Sequence, residues 1–499
     1  MESVRRKSLF SAGNQLISRA YERGIPLLWE RYEAQLPLDG FAESGLTCHD
    51  CLYGPCRINP FGEEPLQGIC GADRQQIALQ FIFRAAKKGV LESAHQLPFP
   101  GSGDKAREAL TLTNPHFSDK AYLQNSLTNM LKLGSVQYEL FELAWKVIQR
   151  RSAGQNRPSP KSIDLRAGAN IFLEGGASTS LVESLLESFR KEKTDLHLLV
   201  GEGSEYLRKW GACVASLGHP ELMLLTGGID ALVMHGNGMG SYLVNLAERL
   251  GIEVFRTGVE SAGTGSLGRS VSKKALEAYR SRVKRGADPF PPSLQLAGEE
   301  NTNQLQEKAK KVGALLKVRK LRGVAILIGD FNVKQTFFER TSKIIQKLLK
   351  EDVLVFLGGG LFACQPILEN LIESKMGKKL AGLLEELNKS TPLFGFGSAC
   401  ELPGVIEFLS SLDSRKGLRG IRTVAVFPEV HRWSYLSAAF GLLSLGIPVQ
   451  IGTRLPFWGS PELTDVFFKE LKSTCGTEFL VAPSLASAEE QSEEILRRL

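Results

Sequence analysis

The first third of the chain has apolar residues at helical spacing. In residues 6–36 they recur every three or four positions, as on one face of an α-helix. Asp73 is placed to cap a further helix. The apolar face of that helix comprises Ile77, Phe81, Ile82 and Ala85. The pattern returns over 119–150 and is broken by the proline-containing segment RSAGQNRPSPKS, so we predict a helical domain over residues 1–160.

The remainder of the chain alternates short apolar runs with helical patterns. Runs such as ANIFLEGG, LHLLVGEG and DALVMHGNGMG end in glycine and precede amphipathic segments, which indicates parallel strands with crossover helices. A proline-rich break, ADPFPPSLQLAGEENTN, separates them from a second series that includes GVAILIGDFN, DVLVFLGGG and TVAVFPEV. The predicted fold class is α/β, with the helical domain followed by two Rossmann-like open parallel-sheet domains, residues 161–292 and 293–499.

The amino-acid composition limits the classes of function that are expected for this protein. The 499 residues are 43% hydrophobic and 23% charged, with a net charge of +7, and no basic block is interleaved with aromatic residues, so nucleic-acid binding is not expected. Neither a signal peptide nor a membrane span is visible, and the cysteines do not form a disulfide framework, so a cytoplasmic location is expected. The positive charge favours an acidic redox partner such as ferredoxin.

Four of the eight cysteines lie in one short segment, TCHDCLYGPCRINPFGEEPLQGICGAD. Cys48, Cys51, Cys56 and Cys70 can supply the four thiolates of a [4Fe-4S] cluster, and nearby glycines allow backbone N–H groups to approach the sulfurs. Four thiolates can also hold a structural zinc ion, although only the first two form a CxxC pair. Buried free thiols are the third interpretation.

The sequence motifs around these cysteines resemble those of a known family. CxxCxxGPCRI followed by PFGEEPLQGICGAD resembles the electron-relay segment of the catalytic subunit of anaerobic nickel–iron carbon monoxide dehydrogenase, a family related to the hybrid-cluster (hydroxylamine reductase-like) proteins. The segment from PEVHRWSYLSAAFGLL to EFLVAPS is similar to the family's closing segment. The resemblance implies a [4Fe-4S] relay cluster on the four cysteines, and a homodimer. It also implies two further cysteines for a bridging cluster, but Thr47 and the region of Asp39 lack them.

The resemblance further implies a nickel–iron–sulfur active-site cluster held by one histidine and five cysteines. None of these ligands is in place. At the corresponding positions the sequence has Gly176, Gly201, Gly238, Asp330, Gly358 (or Gly359 with a shift of one residue) and Ala399, which Cys400 follows. Where the family has its catalytic lysine, this chain has Ser434. Where the family has the first of its proton-carrying histidines, this chain has Ser93, and the nearest histidine is His95. Without thiolates such a cluster cannot be held, so ordinary carbon monoxide oxidation is not expected.

Several polar residues remain near strand ends that should converge in the α/β region. They are Glu174, Glu202, His235, Asp330, Cys364, Cys400 and Glu401. Carboxylates and one histidine suit a harder metal or a small polar substrate, but a lone histidine is more often held by ordinary hydrogen bonds. Cys213, Cys364 and Cys475 are expected to be buried small apolar residues.

Three hypotheses follow. The chain is an electron-transfer or scaffold subunit of a larger redox complex, or an oxidoreductase with a remodelled metal or small-molecule site, or a zinc-stabilised binding protein. In each case the sequence leaves the substrate and the partner open.

Overall fold

The computed structural model describes residues 7–114, 122–152, 160–175, 177–190, 194–201, 203–235, 241–257, 264–298, 305–372, 376–387, 391–413, 415–481 and 487–499. The N-terminal part is helical. Its helices are α1 (Ser11–Glu22), α2 (Leu28–Glu33), α3 (Gly40–Ser44), α4 (Arg74–Gln96), α5 (Ser102–Thr111) and α6 (Tyr122–Ser152). Among the described helices, none is both long and apolar enough to cross a membrane.

Helix α4 begins where the sequence predicts it. The Asp73 side chain accepts a hydrogen bond from the Gln76 backbone N–H, and the Gln76 side chain accepts one from the Asp73 N–H. This reciprocal pair satisfies two backbone donors that a helix start otherwise leaves open. Of the predicted apolar stripe, Ile77, Ile82 and Ala85 are buried, and Phe81 is partly buried and packs against the core.

The first sheet is parallel, with strand order β6–β5–β4–β7–β8. Its strands are β4 (Gly168–Glu174), β5 (Asp195–Val200), β6 (Cys213–Val214), β7 (Ala231–His235) and β8 (Glu253–Thr257). The accompanying helices are α7 (Thr179–Arg190), α8 (Pro220–Leu225), α9 (Ser241–Leu250) and α10 (Thr264–Lys284), with a 3-10 helix at Glu205–Trp210. Every residue of β4 is buried, as expected of a central parallel strand covered on both faces.

The second sheet is also parallel, with order β12–β11–β10–β13–β14–β15. Its strands are β10 (Gly323–Ile328), β11 (Val353–Gly358), β12 (Leu393–Gly397), β13 (Thr423–Phe427), β14 (Val449–Ile451) and β15 (Phe479–Val481). Its helices are α11 (Ala309–Lys317), α12 (Glu339–Lys350), α13 (Gly360–Ala363), α14 (Gln365–Leu371), α15 (Lys378–Glu386), α16 (Leu402–Ser411), α17 (Trp433–Ser444), α18 (Pro461–Cys475) and α19 (Ala488–Arg498). Two 3-10 helices lie at Ala399–Glu401 and Gly417–Gly420.

Two small antiparallel pairs complete the architecture. One joins β1 (Thr47–Cys48) to β2 (Cys56–Arg57) in the cysteine segment. The other joins β3 (Ser162–Asp164) to β9 (Ser293–Gln295). The second pair links residues just after the predicted boundary at 292 to the start of the first sheet domain.

The helical part and the second sheet domain pack closely through α17, which lies against α4 and α6. Two glycines permit this approach. A Cβ atom at Gly89 would overlap the backbone of Trp433, and one at Gly134 would overlap the backbone of Phe440. The predicted α/β class, with a helical domain preceding two parallel sheets, is confirmed.

Candidate functional site

The four cysteines lie on one hairpin-like loop. Cys48 and Cys56 are cross-strand partners in the β1–β2 pair, and Cys51 lies in the turn between them. Cys70 is on the return of the chain, just before Asp73 and helix α4. Cys51 and Cys70 are exposed, Cys48 and Cys56 are half-buried, and all four are free thiols. One short segment therefore presents four sulfur donors with no disulfide between them.

Backbone groups surround the sulfur of Cys56. The Ile69 N–H donates to Cys56 Sγ at 3.4 Å, so an amide does point at a sulfur, although it comes from Ile69 and not from a glycine. Gly71 has a φ of +86°, the left-handed region that glycine adopts without strain. Amide-to-sulfur bonds of this kind are one of the ways in which a protein tunes an iron–sulfur cluster.

The charged residues near the cysteines contact other side chains of the protein. Burial raises the pKa of the Cys48 thiol, and a hydrogen bond that the Asp50 backbone N–H donates to its sulfur opposes this shift. Asp50 forms an ion pair with Arg84. The guanidinium of Arg57, the residue after Cys56, lies over the Phe41 ring at 4.6 Å. Leu52, which follows Cys51 in the turn, is fully exposed.

The donor set fits a cluster of several metal ions. Each corner iron of a [4Fe-4S] cluster takes one thiolate, so the sulfurs need not converge on one point. A single zinc ion needs all four within about 2.3 Å of its centre. The four free thiols, the amide directed at Cys56 and the absence of a side chain at Gly68 are compatible with a cubane.

The other candidate region is the junction of the two sheets with the helical domain. Here the space beside two of the glycines at expected ligand positions is occupied. A Cβ atom at Gly201 would overlap the carboxylate of Glu174, and one at Gly358 would overlap the ring of Phe396. Glu174 and Phe396 are both buried. A cysteine at either position would displace a side chain of this protein.

Asp330, at a third expected ligand position, is buried and lies 2.6 Å from the ring of His431, measured from Oδ2 to Nδ1. The adjacent Arg432 faces Glu174, with Nη2 and Oε1 3.7 Å apart. The carboxylates of Glu174 and Asp330, at the ends of β4 and β10, thus each face a basic side chain from the segment that follows β13.

A third and stronger ion pair joins the sheet domains. Arg208 donates from Nη1 to Glu401 Oε1 at 2.5 Å and from Nη2 to Oε2 at 2.7 Å. Arg208 also donates to the backbone oxygen of Phe396, and Glu401 Oε1 accepts from the Ser398 N–H. Both charged side chains are almost completely buried. Planar, bidentate pairing of this kind is the most favourable geometry for an arginine and a carboxylate.

Two small cavities flank this charged network. Asp330 and Cys364 line the first, together with Gly201 and Gly360. The second lies where the helical domain meets both sheets and has room for about two water molecules. Its lining includes Ser93, Gln96, Cys400, Arg432, Ser434 and Tyr435. Burial raises the pKa of the Cys400 thiol well above its usual value, so this thiol is protonated at neutral pH.

His235 lies apart from these groups, at the end of β7. Its Nδ1 is 2.8 Å from Thr257 Oγ1, as expected for a histidine held by hydrogen bonds, and its ring centre is 5.1 Å from that of His95. Burial, and then the His95 ring, lower the pKa of His235, and the backbone of His95 opposes this shift.

The remaining sequence candidates have mixed outcomes. Glu202, Gly176 and Gly238 lie outside the described residues. Cys364 is buried as expected, whereas Cys213 is only half-buried, and the side chain of Cys475 is not among those described. Sequence reasoning missed Arg208, Phe396, His431 and Arg432. The one available signal was HRWS, which stands in place of the family's lysine segment and brings two basic residues to the pocket.

Comparisons with known proteins agree with this fold. No protein-family model matches the sequence. The chain is 23% identical to carbon monoxide dehydrogenase 2 of Carboxydothermus hydrogenoformans, over 95% of both proteins. It is 22% identical to carbon monoxide dehydrogenase 1 of Methanosarcina mazei, over 96% of this chain and 95% of that protein. Over 79 residues it is 43% identical to the carbon monoxide dehydrogenase of Rhodospirillum rubrum, which is 16% of this chain and 12% of that protein.

Solved structures give the same result for the fold. A nickel-free crystal structure of carbon monoxide dehydrogenase from Thermococcus sp. AM4 has a TM-score of 0.77 at 17% identity, covering 99% of this chain and 96% of that one. Carbon monoxide dehydrogenase IV from Carboxydothermus hydrogenoformans has a TM-score of 0.74 at 18% identity, covering 99% and 98%. The chain is therefore related to carbon monoxide dehydrogenases over almost its whole length and has their fold.

Proposed function

We propose that this chain is an electron-transfer iron–sulfur protein built on the carbon monoxide dehydrogenase fold. Cys48, Cys51, Cys56 and Cys70 would hold one [4Fe-4S] cluster. The nickel–iron chemistry of the relatives would be absent. The observation that carries the second statement is the occupied space at Gly201 and Gly358, where Glu174 and Phe396 fill the room that two cysteine ligands would need.

The residues of the loop have defined tasks in this proposal. A [4Fe-4S] cluster supplies one-electron exchange when it is bound. The four thiols would bind as thiolates, and the Ile69 N–H would stabilise negative charge on Cys56 Sγ. Exposure of Cys51 and Cys70 puts this edge of the loop at the protein surface, where an electron can pass to a partner.

Exposed apolar side chains on the same loop support a protein partner. We name Leu52, Tyr53, Phe61 and Ile69 the apolar rim; each is at least 67% exposed. Large apolar side chains exposed together are typical of interaction surfaces. A second copy of the chain, as the resemblance implies, would cover this rim. The net charge of +7 favours an acidic electron donor or acceptor such as ferredoxin.

The experiment is a comparison of cysteine variants purified without oxygen. Cys56→Ser should lose most of the iron and the paramagnetic signal of the reduced protein, because one corner iron loses its thiolate. Cys213→Ser is the matched control, since Cys213 is half-buried and lies outside the loop. Unchanged iron in Cys56→Ser would refute the assignment, and one zinc ion per chain in place of iron would favour the zinc-stabilised alternative.

A remodelled site is the second candidate, and the cavity lined by Cys400, Arg432 and Tyr435 favours it. A cavity at the carboxyl ends of parallel strands is where α/β proteins bind ligands. On this interpretation the chain would be an oxidoreductase that acts on a small polar molecule. A ligand or second metal that co-purifies with the chain and is lost in Arg432→Met would support it. A chain with the cubane alone would instead be an electron-transfer or scaffold subunit.

A further inference from the structure

Two histidines lie side by side where the helical domain meets the first sheet. His95 comes from the last turn of α4 and His235 from the end of β7. Their ring centres are 5.1 Å apart and their planes differ by 31°. Both Nε2 atoms are buried and, among the residues that the structure describes, have no hydrogen-bond partner. A buried ring nitrogen without a partner is unfavourable unless something else binds it.

One arrangement of hydrogen bonds around His235 leaves its Nε2 available. Thr257 Oγ1 can donate to the Met234 backbone oxygen, at 3.4 Å, and accept from His235 Nδ1–H, at 2.8 Å. This chain of hydrogen bonds leaves the lone pair on Nε2. Histidines that bind metals typically have the other ring nitrogen anchored in this way. His235 is only 5% exposed, so water does not compete freely for that lone pair.

The separation of the rings is also that of two ligands on one ion. With metal–nitrogen distances of about 2.0–2.1 Å and tetrahedral angles, two imidazole rings have their centres about 5 Å apart. The observed 5.1 Å matches this spacing. The pair lies at the carboxyl end of β7, the edge at which α/β sheets bind ligands.

We propose that His95 and His235 bind one divalent transition-metal ion of the zinc type through their Nε2 atoms. Imidazole suits such ions better than calcium or magnesium, which prefer oxygen. Two protein ligands leave coordination positions for water or a small exogenous ligand, so the ion would be accessible to chemistry. This site uses none of the four loop cysteines and does not depend on the proposed cubane.

The test is a titration of the cluster-loaded chain with Zn²⁺ in the absence of oxygen, followed by zinc-edge X-ray absorption. The unmodified chain is expected to bind one Zn²⁺ with nitrogen neighbours at about 2.0–2.1 Å and the outer-shell pattern of imidazole. His95→Gln and His235→Gln should each weaken binding about tenfold or more. His197→Gln is the control, because His197 is partly buried and bonded to Asn170, in a different part of the sheet.

Three results would overturn the proposal. They are no Zn²⁺ binding, zinc on sulfur at about 2.3 Å, or unchanged binding in His95→Gln. His235 is buried and its variant could fail to fold, but His95 is in the last turn of a helix and partly exposed, so His95→Gln decides the question alone. Circular dichroism of each variant before titration establishes that it is folded.

Discussion

The guanidinium of Arg208 and the carboxylate of Glu401 form a bidentate pair that joins the two sheet domains across 193 residues of sequence. The pair connects the 3-10 helix Glu205–Trp210 to the 3-10 helix Ala399–Glu401. It lies beside Ala399, one of the positions at which the resemblance implies a cluster ligand. Glu401 is thus two residues from a position at which the resemblance implies a cluster ligand.

Removing one partner of this pair should destabilise the protein strongly. Arg208→Met leaves the Glu401 carboxylate buried without its counter-charge, so we expect a loss of about 3–5 kcal/mol in the free energy of unfolding. The measurement is urea-induced unfolding followed by circular dichroism. Lys343→Ala is the control, because its pair with Glu339 is an exposed i,i+4 contact worth about 0.3–0.5 kcal/mol.

The double variant Arg208→Met, Glu401→Leu distinguishes pairing from packing. Replacing both charges by apolar side chains of similar volume is often nearly neutral, so most of the lost stability should return. If the double variant is as unstable as the single one, the charge pair is not the reason for the loss.

The occupied space at Gly358 predicts an intolerance to any side chain there. Gly358→Ala should lower the free energy of unfolding by about 1–3 kcal/mol, because the new methyl group overlaps Phe396. A second substitution, Phe396→Leu, should restore part of the lost free energy of unfolding. Gly382→Ala is the matched control: nothing lies within 4 Å of its Cβ position and it is inside α15, so alanine should stabilise by about 0.5–1 kcal/mol. Equal effects at both glycines would contradict the account.

Glu429 should make stability depend on pH. Burial raises the pKa of this carboxyl to about 7, well above its value in the unfolded chain. The folded protein therefore binds a proton that the unfolded chain releases, and stability falls as pH rises from about 4.5 to 7. Glu429→Gln removes that contribution. Thermal unfolding of both proteins from pH 5 to 8 should show the variant gaining relative to the unmodified chain as pH rises; parallel profiles would contradict this.

The apolar rim should control association. Leu52→Glu places a charge on a fully exposed side chain of the cysteine loop, so it should not disturb folding but should oppose burial against a second copy. Sedimentation velocity is expected to show a dimer for the unmodified chain and mainly monomer for the variant. Val318→Glu is the control, since Val318 is also exposed but lies far from the loop in sequence, after α11. If both variants remain dimeric, the rim is not the interface.

Local features of the fold could be predicted because their causes are local. Asp73 and Gln76 are three residues apart, and their reciprocal cap is visible in the sequence. Strands β4, β5 and β10 are each followed directly by a glycine, as the pattern indicated, and β4 is buried throughout. The assignment of the glycines and Asp330 to ligand positions, by contrast, stays a prediction.

The side chains that fill the junction of the two sheets with the helical domain could not be predicted, because they come from residues far apart in the chain. Nothing near Gly358 in sequence indicates that Phe396, from the neighbouring strand, occupies its space. The Arg208–Glu401 pair and the His95–His235 contact likewise arise only when the domains pack. The sequence offered His235 as a lone histidine, and only the fold supplies its neighbour.

The most direct measurement is iron, sulfide and nickel analysis of the chain purified without oxygen, together with paramagnetic resonance of the reduced protein. The account predicts about four irons and four sulfides per chain, one paramagnetic cluster and no nickel. Bound zinc would leave this prediction intact, because the histidine pair is a separate site. Nickel, or iron well above four per chain, would contradict the claim that one cubane is retained and the nickel–iron centre is lost.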